Sequence, residues 1–377
     1  QGKPSRPMRL PPLVPLVGVF GLALMVGWVI LEGRILPALF FPPFFVLAAT
    51  LPPLWAVAWF VPKLDKKIEK QPDEGDDAVP AQNQEILESE TKLTWRRGLL
   101  AFAGGATVSV FIAILLEILF PLFVLSLIAD LANTVMNGLE TLFGALTSSD
   151  VAAALANPSF WYVFVQIAII APLAEEIAKP LVVLPLVKRL SQQETFWLGA
   201  LAGAGFAALE NIIYATAGFP IWAGILLVRA LGGALHPLGA GLVALGWRAV
   251  LRGEPNAWGR WFLRFGIAVI VHAVWNGGSL LVITLGGTGF FGQLPSEIDL
   301  LGMSAAGTTL AFLLILGLSA LWLGRAFGHG QAPTFIRQTD PAESDFVPSE
   351  RALALWALAC LAAIVPTGIA GLKLWLR

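Results

Sequence analysis

One cysteine, two tyrosines, three histidines and four methionines are all that 377 residues contain of those types. The single cysteine, Cys360, excludes a disulfide framework and any zinc site built on thiolates. Its apolar surroundings mark it as a small buried hydrophobe. Charged residues make up 13% of the chain, about half of the roughly 25% usual for soluble proteins. Lysine and arginine number 24 against 25 acidic residues, so no basic surplus exists to hold nucleic acid. There is no visible internal repeat and no separable soluble domain of any size.

What is abundant is apolar. Hydrophobic residues are 57% of the chain and tryptophans number 14, with a mean hydropathy of +0.76. This composition predicts an all-α, polytopic transmembrane bundle, because a backbone in lipid must satisfy its polar groups internally. At about 20 residues per span, apolar runs fall at about 12–31, 36–62, 98–128, 160–186, 195–217, 222–247, 265–287, 301–324 and 352–376, giving nine spans. The chain begins at Gln1 rather than Met, which reads as a trimmed or altered start. A signal peptide does not fit the first run, which is long and lacks a small-residue cleavage pattern.

The chain divides into two N-terminal spans (1–62), a charged cytoplasmic loop (63–97), a span with an amphipathic helix (98–159), a four-span core (160–287), and C-terminal spans with a polar loop at 325–350 (288–377). The amphipathic helix is expected at 130–147, where Leu131, Val135, Leu139, Leu142 and Leu146 share one stripe. Basic residues fix the orientation. Lys63–Arg97, Lys188, Arg189, Arg248, Arg252, Arg260, Arg264, Arg325, Arg337 and Arg351 fall on one side, whereas 129–159 and 288–300 carry acids and no lysine or arginine. The positive-inside rule then puts the N-terminus in the cytoplasm.

Four consecutive spans carry ionisable residues near their middles: Glu175, Glu176 and Lys179; then Glu210; then Arg229 and His236; then His272 with Asn276. At about 1.5 Å per residue, Glu175, Glu210, His236 and His272 reach one depth. A charge inside the bilayer costs several kcal/mol, from roughly 2.5 to above 10. It is tolerated where it faces partners and has work to do. Pro172, Pro180 and Pro185 free the carbonyls of Ala168, Glu176 and Leu181, so the Glu-Glu segment reads as a polar site in a broken helix. The His236-Pro237 step puts His236 at a helix break. Gly199, Gly203 and Gly205, with Gly232, Gly233, Gly239 and Gly241, allow helices to approach closely. Arg229 reads as a counter-charge, Phe206 and Tyr214 as packing, and His329 as a solvated loop residue.

Such a set can hydrolyse a bond in two ways. A divalent metal can be held by His236, His272 and a carboxylate, with an open position for water. Alternatively a desolvated glutamate takes a proton from water while histidine and Asn276 stabilise the oxyanion. The His-Glu-x-x-His pattern of zincins is absent.

At these residues the sequence resembles the PrsW family of intramembrane proteases. Glu175-Glu176-Ile-Ala-Lys179 matches the family's Glu-Glu-x-x-Lys. Gly205-Phe206-Ala-Ala-Leu-Glu210-Asn211-Ile-Ile-Tyr214 matches Gly-Phe-x-x-x-Glu-Asn-x-x-Tyr. Arg229 through His236, and His272-Ala-Val-Trp275-Asn276, are similar to its last two elements. The related CAAX prenyl proteases carry Glu-Glu-x-x-x-Arg and a second-motif histidine. Here Lys179 comes one position earlier and Glu210 stands for that histidine, which argues against prenylated substrates.

The resemblance implies an endopeptidase of a prokaryotic plasma membrane that cuts membrane-protein or peptide substrates within or beside a span. Its expected site is Glu175 as general base, Glu176 orienting it, Lys179 holding the acids, Glu210, His236 and His272 as zinc ligands or water-positioning groups, and Asn276 in support. A transporter, whose midplane carboxylates look alike, and a non-catalytic scaffold are the other two readings.

Overall fold

The computed structural model describes residues 11–32, 37–60, 94–121, 158–287 and 305–330, and they are helical apart from short turns, with no β-strand among them. The amphipathic helix expected at 130–147, the span at 352–376 and nearly all of the charged loop lie outside the described residues. The helices are α1 Leu13–Glu32, α2 Pro37–Phe60, α3 Trp95–Pro121, α4 Pro158–Val165, α5 Ala171–Ala178, α6 Leu184–Val187, α7 Gln192–Ala217, α8 Trp222–Leu231, α9 Leu235–Leu251, α10 Ala257–Gly287 and α11 Ala305–Gly330. Among the described residues six helices are long and apolar enough to cross a membrane, or seven when the pair around the α8–α9 break, bent by 42°, is taken as one span.

Helix α7 is the axis of the bundle. Of its apolar window 78% is buried, against 22% for α1 and for α11. Ser191 starts it with a reciprocal cap: its hydroxyl accepts from the Glu194 N–H (3.1 Å), and Glu194 Oε2 accepts from the Ser191 N–H (2.9 Å). Small residues then let neighbours press against its backbone. A Cβ on Gly203 would collide with the His236 carbonyl of α9, and one on Gly205 with the Phe102 carbonyl of α3. One core is built from Phe60, Phe196, Leu198, Leu201, Leu238 and Leu242, and a second from Phe20, Phe41, Phe45, Phe219 and Trp222.

Two boundaries differ from the sequence reading. Helix α10 begins at Ala257 rather than near 265, taking Arg260 and Arg264 into its first turns. The charges are tolerated there because Arg260 pairs with Glu254 (3.1 Å) and Arg264 donates to the Leu245 carbonyl (2.8 Å). The turn before it uses Gly253 at φ 64°, the left-handed position that glycine occupies freely after a helix. Helix α11 runs on to Gly330 through the start of the expected polar loop. Arg325 lies over the Trp59 ring at 4.6 Å, so its charge is shared with α2.

Gly203→Val should lower the unfolding midpoint in detergent by an amount worth at least ~1–3 kcal/mol, the cost of overpacking. Gly18→Ala, whose Cβ meets nothing within 4 Å, should stay within ~0.5 kcal/mol. Equal midpoints for the two variants would refute the close α7–α9 contact.

Candidate active site

Proline and a wide turn shape the segment that carries the acids. Between α4 and α5 a π-turn covers Gln166–Ile170, and after α5 a 3₁₀ turn covers Lys179–Val183. Pro180 and Pro185 leave backbone carbonyls without helical partners. Side chains from other helices reach into these defects. Ser109 of α3 donates to the Lys179 carbonyl (3.1 Å), and Asn276 of α10 donates to the Ile167 carbonyl (3.1 Å). The α8–α9 break at 232–234 presents His236 in the first turn of α9, as the His-Pro step predicts.

The four segments do meet. Lys179 is fully buried; its ammonium lies 2.6 Å from Glu176 Oε1 and 3.0 Å from Glu175 Oε2. Phe206 roofs this pair, with the ammonium 4.9 Å from its ring centre, and stacks on His236 at 5.8 Å. Phe206 is packing, as expected, but packing against the site itself.

Each imidazole is held from behind by its own carboxylate. His236 Nε2 lies 3.0 Å from Glu210 Oε2, and His272 Nδ1 lies 2.9 Å from Glu176 Oε1. A carboxylate only accepts, so these nitrogens carry the protons. Of the remaining two nitrogens, His236 Nδ1 has no hydrogen-bond partner and His272 Nε2 has Asn276 beside it. His236 Nδ1 is 3.7 Å and His272 Nε2 is 3.8 Å from the same atom, Glu175 Oε2. Asn276 Nδ2 lies 3.2 Å from His272 Nε2 and donates to it when the proton is on Nδ1. The rings lie 4.9 Å apart, centre to centre.

Among the described residues, Glu175, His236 and His272 form a three-residue group whose potential ligand atoms all lie within 4.8 Å of one another. Tetrahedral ligands at bond lengths of ~2.0–2.2 Å stand about 3.4 Å apart; Glu175 Oε2 stands 3.7 and 3.8 Å from the two imidazole nitrogens. His236 Nδ1 is a buried atom without a hydrogen-bond partner, as expected of a ligand atom arranged for a cation, and Glu175 Oε2 has the Lys179 ammonium at 3.0 Å. Three carboxyl groups, Glu175, Glu176 and Glu210, share two cationic side chains, Lys179 and Arg229. The residues fit a divalent metal.

The carboxylate in that group is Glu175, where the sequence reading placed Glu210 with the two histidines. Glu210 points elsewhere because Arg229 of α8 donates to its Oε2 at 2.7 Å. Arg229 also donates to Asn211 Oδ1 and lies over the Tyr214 ring at 4.4 Å. Asn211 in turn donates to the Ala49 carbonyl of α2 (2.8 Å), which Pro53 has deprived of its helical partner. Arg229 is thus the counter-charge expected, and Tyr214 its platform. A narrow cleft with room for about one water molecule opens beside His236, between Asn211, Arg229, Gly232, Gly233 and Trp275.

Glu117 escaped the sequence reading. It is the sole charged side chain in residues 98–128, and that isolation in an apolar run was the signal available. Gln166 of the π-turn donates to its backbone carbonyl (3.4 Å). That contact brings this part of α3 beside the Glu-Glu segment.

A family model, PrsW family intramembrane metalloprotease, matches residues 94–298. Comparison with curated proteins and with solved structures gives no match. The matched residues run from the start of α3 past the end of α10, and so enclose every residue named for this site except Ala49 and Pro53.

Lys179→Met should cost ~3–5 kcal/mol, because it leaves two buried carboxylates facing each other without their cation. Denaturant unfolding of the purified variant measures this. A loss below ~1 kcal/mol would show that the acids are paired by other means.

Proposed function

Because the chain belongs to the PrsW family of intramembrane metalloproteases, we propose that it hydrolyses peptide bonds at a metal held inside the membrane by Glu175, His236 and His272. The protein is a peptide hydrolase of the membrane, and the family match favours neither the transporter nor the scaffold reading. The observation that carries the ligand assignment is the pair of imidazoles, each backed by a carboxylate and each aiming its other nitrogen at Glu175 Oε2. That is the outer-shell pattern by which metal-binding histidines are oriented and kept in one tautomer.

A divalent ion such as zinc, when bound, polarises a carbonyl and lowers the pKa of a bound water to about 7. The protein's own groups do the rest. Glu210 and Glu176 hold His236 and His272 by their N–H groups. Lys179 allows two carboxylates to be buried side by side. Asn276 ties the His272 ring to the π-turn, and Phe206 keeps bulk water off the ammonium. In this reading Glu175 binds the metal rather than acting as general base, and Glu210 supports a ligand rather than being one.

The substrate is a membrane protein or peptide, cut within or beside its membrane segment. The cleft has the volume of a water molecule, so a peptide segment enters as the helices around the 232–234 break part. Nine spans with the N-terminus in the cytoplasm of a prokaryotic cell complete the proposal, supported by the one-sided placement of basic residues.

Metal analysis of the purified protein tests the ligand set. Wild type should hold one zinc per chain, and His236→Ala and Glu175→Ala should lose it. Glu210→Ala should still bind, with affinity reduced 10–100-fold. Wild-type zinc affinity in Glu175→Ala, or cleavage by rigorously metal-free protein, would overturn the assignment.

A further inference from the structure

Peptide hydrolysis needs a group that accepts a proton from the attacking water and returns it to the departing amine. On the proposed ligand assignment, each carboxylate of the cluster has one oxygen committed, and the other oxygen of Glu176 is buried without a partner. Glu176 Oε1 is held by Lys179 at 2.6 Å and His272 at 2.9 Å. Glu210 Oε2 is held by Arg229 at 2.7 Å and His236 at 3.0 Å. Glu175 is the ligand that both imidazoles face. A carboxylate pinned by two charged or protonated partners is a poor proton shuttle, since taking the proton means giving up a buried pair.

Glu117 is not committed. Among the described residues no hydrogen bond or ion pair holds its carboxylate. An unpaired acid in the middle of an apolar span has no structural return for its cost. Its position on α3 is defined by its neighbours. Ser109, Ala113 and Glu117 are four apart and share one face. Ser109 and Ala113 are fully buried. Ser109 bonds the Lys179 carbonyl, and Ala113 packs in a cluster with Ala178 and Phe206. Glu117 continues that stripe by one turn, half-buried, beside Gln166. From Gln166 the next residue, Ile167, is tied through Asn276 to His272. The carboxylate also lies within electrostatic reach of Glu175, Glu210 and Lys179. It thus sits on the stripe that lines the cluster, on its more open side.

We propose that Glu117 is the catalytic proton carrier of this site, an inference that rests on the metal-centre reading above. As the water oxygen bonds to the scissile carbonyl carbon, Glu117 accepts the proton that the water gives up. As the carbon–nitrogen bond breaks, with its electron pair leaving on nitrogen, Glu117 returns that proton to the amine. The products are a carboxylic acid and an amine, and no electrons are exchanged with any other reagent.

The test uses the full chain, zinc-loaded and reconstituted in liposomes, with quenched fluorescent peptides that each carry one apolar membrane-spanning segment. Glu117→Gln should lower kcat by about 10²–10⁴-fold, the usual contribution of general acid–base catalysis. KM, zinc content and melting temperature should remain at wild-type values. Glu117→Asp, which keeps the carboxylate, should retain more activity than Glu117→Gln. A kcat within threefold of wild type in Glu117→Gln would overturn the proposal. So would an activity loss accompanied by lost zinc or a lowered melting temperature, which would mark a structural role. If the wild type binds no zinc and cleaves no peptide, the metal-centre reading fails and this one falls with it.

Discussion

The site depends on one ammonium group. Lys179 has no exposed surface and lies within 3.0 Å of both adjacent glutamates. Without it, Glu175 and Glu176 would be like charges in neighbouring positions of a buried helix, each losing several kcal/mol of hydration. With it, Glu176 can point at His272 while Glu175 points at the gap between the rings. A buried ion pair is weak evidence for stability, because hydrophobic residues of the same volume often do as well. Its value here is positional: two acids one residue apart are sent to two different tasks.

The same bundle uses broken helices as attachment points. In lipid, a carbonyl that loses its helical N–H must find another donor or face a cavity. Pro53 frees the Ala49 carbonyl, and Asn211 takes it; the π-turn at 166–170 exposes the Ile167 carbonyl, and Asn276 takes it. Asn211 and Asn276 each hold a second partner, Arg229 and His272. Each asparagine therefore fixes one functional side chain relative to a defect in a neighbouring helix. The prolines and the wide turn cost helical hydrogen bonds, and what they supply is fixed acceptors where a regular helix would offer none.

These facts explain which parts of the architecture could be read from the sequence. The identity of the site was legible because charge in an apolar run is costly and so is informative: Glu175, Glu176, Lys179, Glu210, His236 and His272 all converge. The helix break at His236 followed from Pro237. What could not be read was direction. Glu175 and Glu210 are both midplane glutamates on buried faces, and spacing alone does not say which one an arginine on a third helix will capture. Arg229 was identified as a counter-charge, but its capture of Glu210 depends on the angle of the bend between α8 and α9, 42°, and the His-Pro step signals a break without setting its angle. The helix ends at Ala257 and Gly330 were misplaced for a related reason. Arginine was read as a loop residue, whereas Arg264 and Arg325 reach carbonyls and a ring on other helices.

The count of ionisable groups then has a physical explanation. Two imidazoles and three carboxylates are more than a three-ligand metal site requires. Each imidazole has two nitrogens, however, and in a dry site the one not facing the metal is a buried donor that must be satisfied. Water would serve at a surface; inside a bundle this tight, a side chain must. Glu176 and Glu210 fill that need, and because each is itself buried, each requires a cation, supplied by Lys179 and Arg229. The series stops there because Arg229 reaches a partly open position and rests on Tyr214, 45% exposed. On the proposed metal reading, the site thus carries two further layers of charge beyond its ligands, Glu176 with Glu210 and then Lys179 with Arg229.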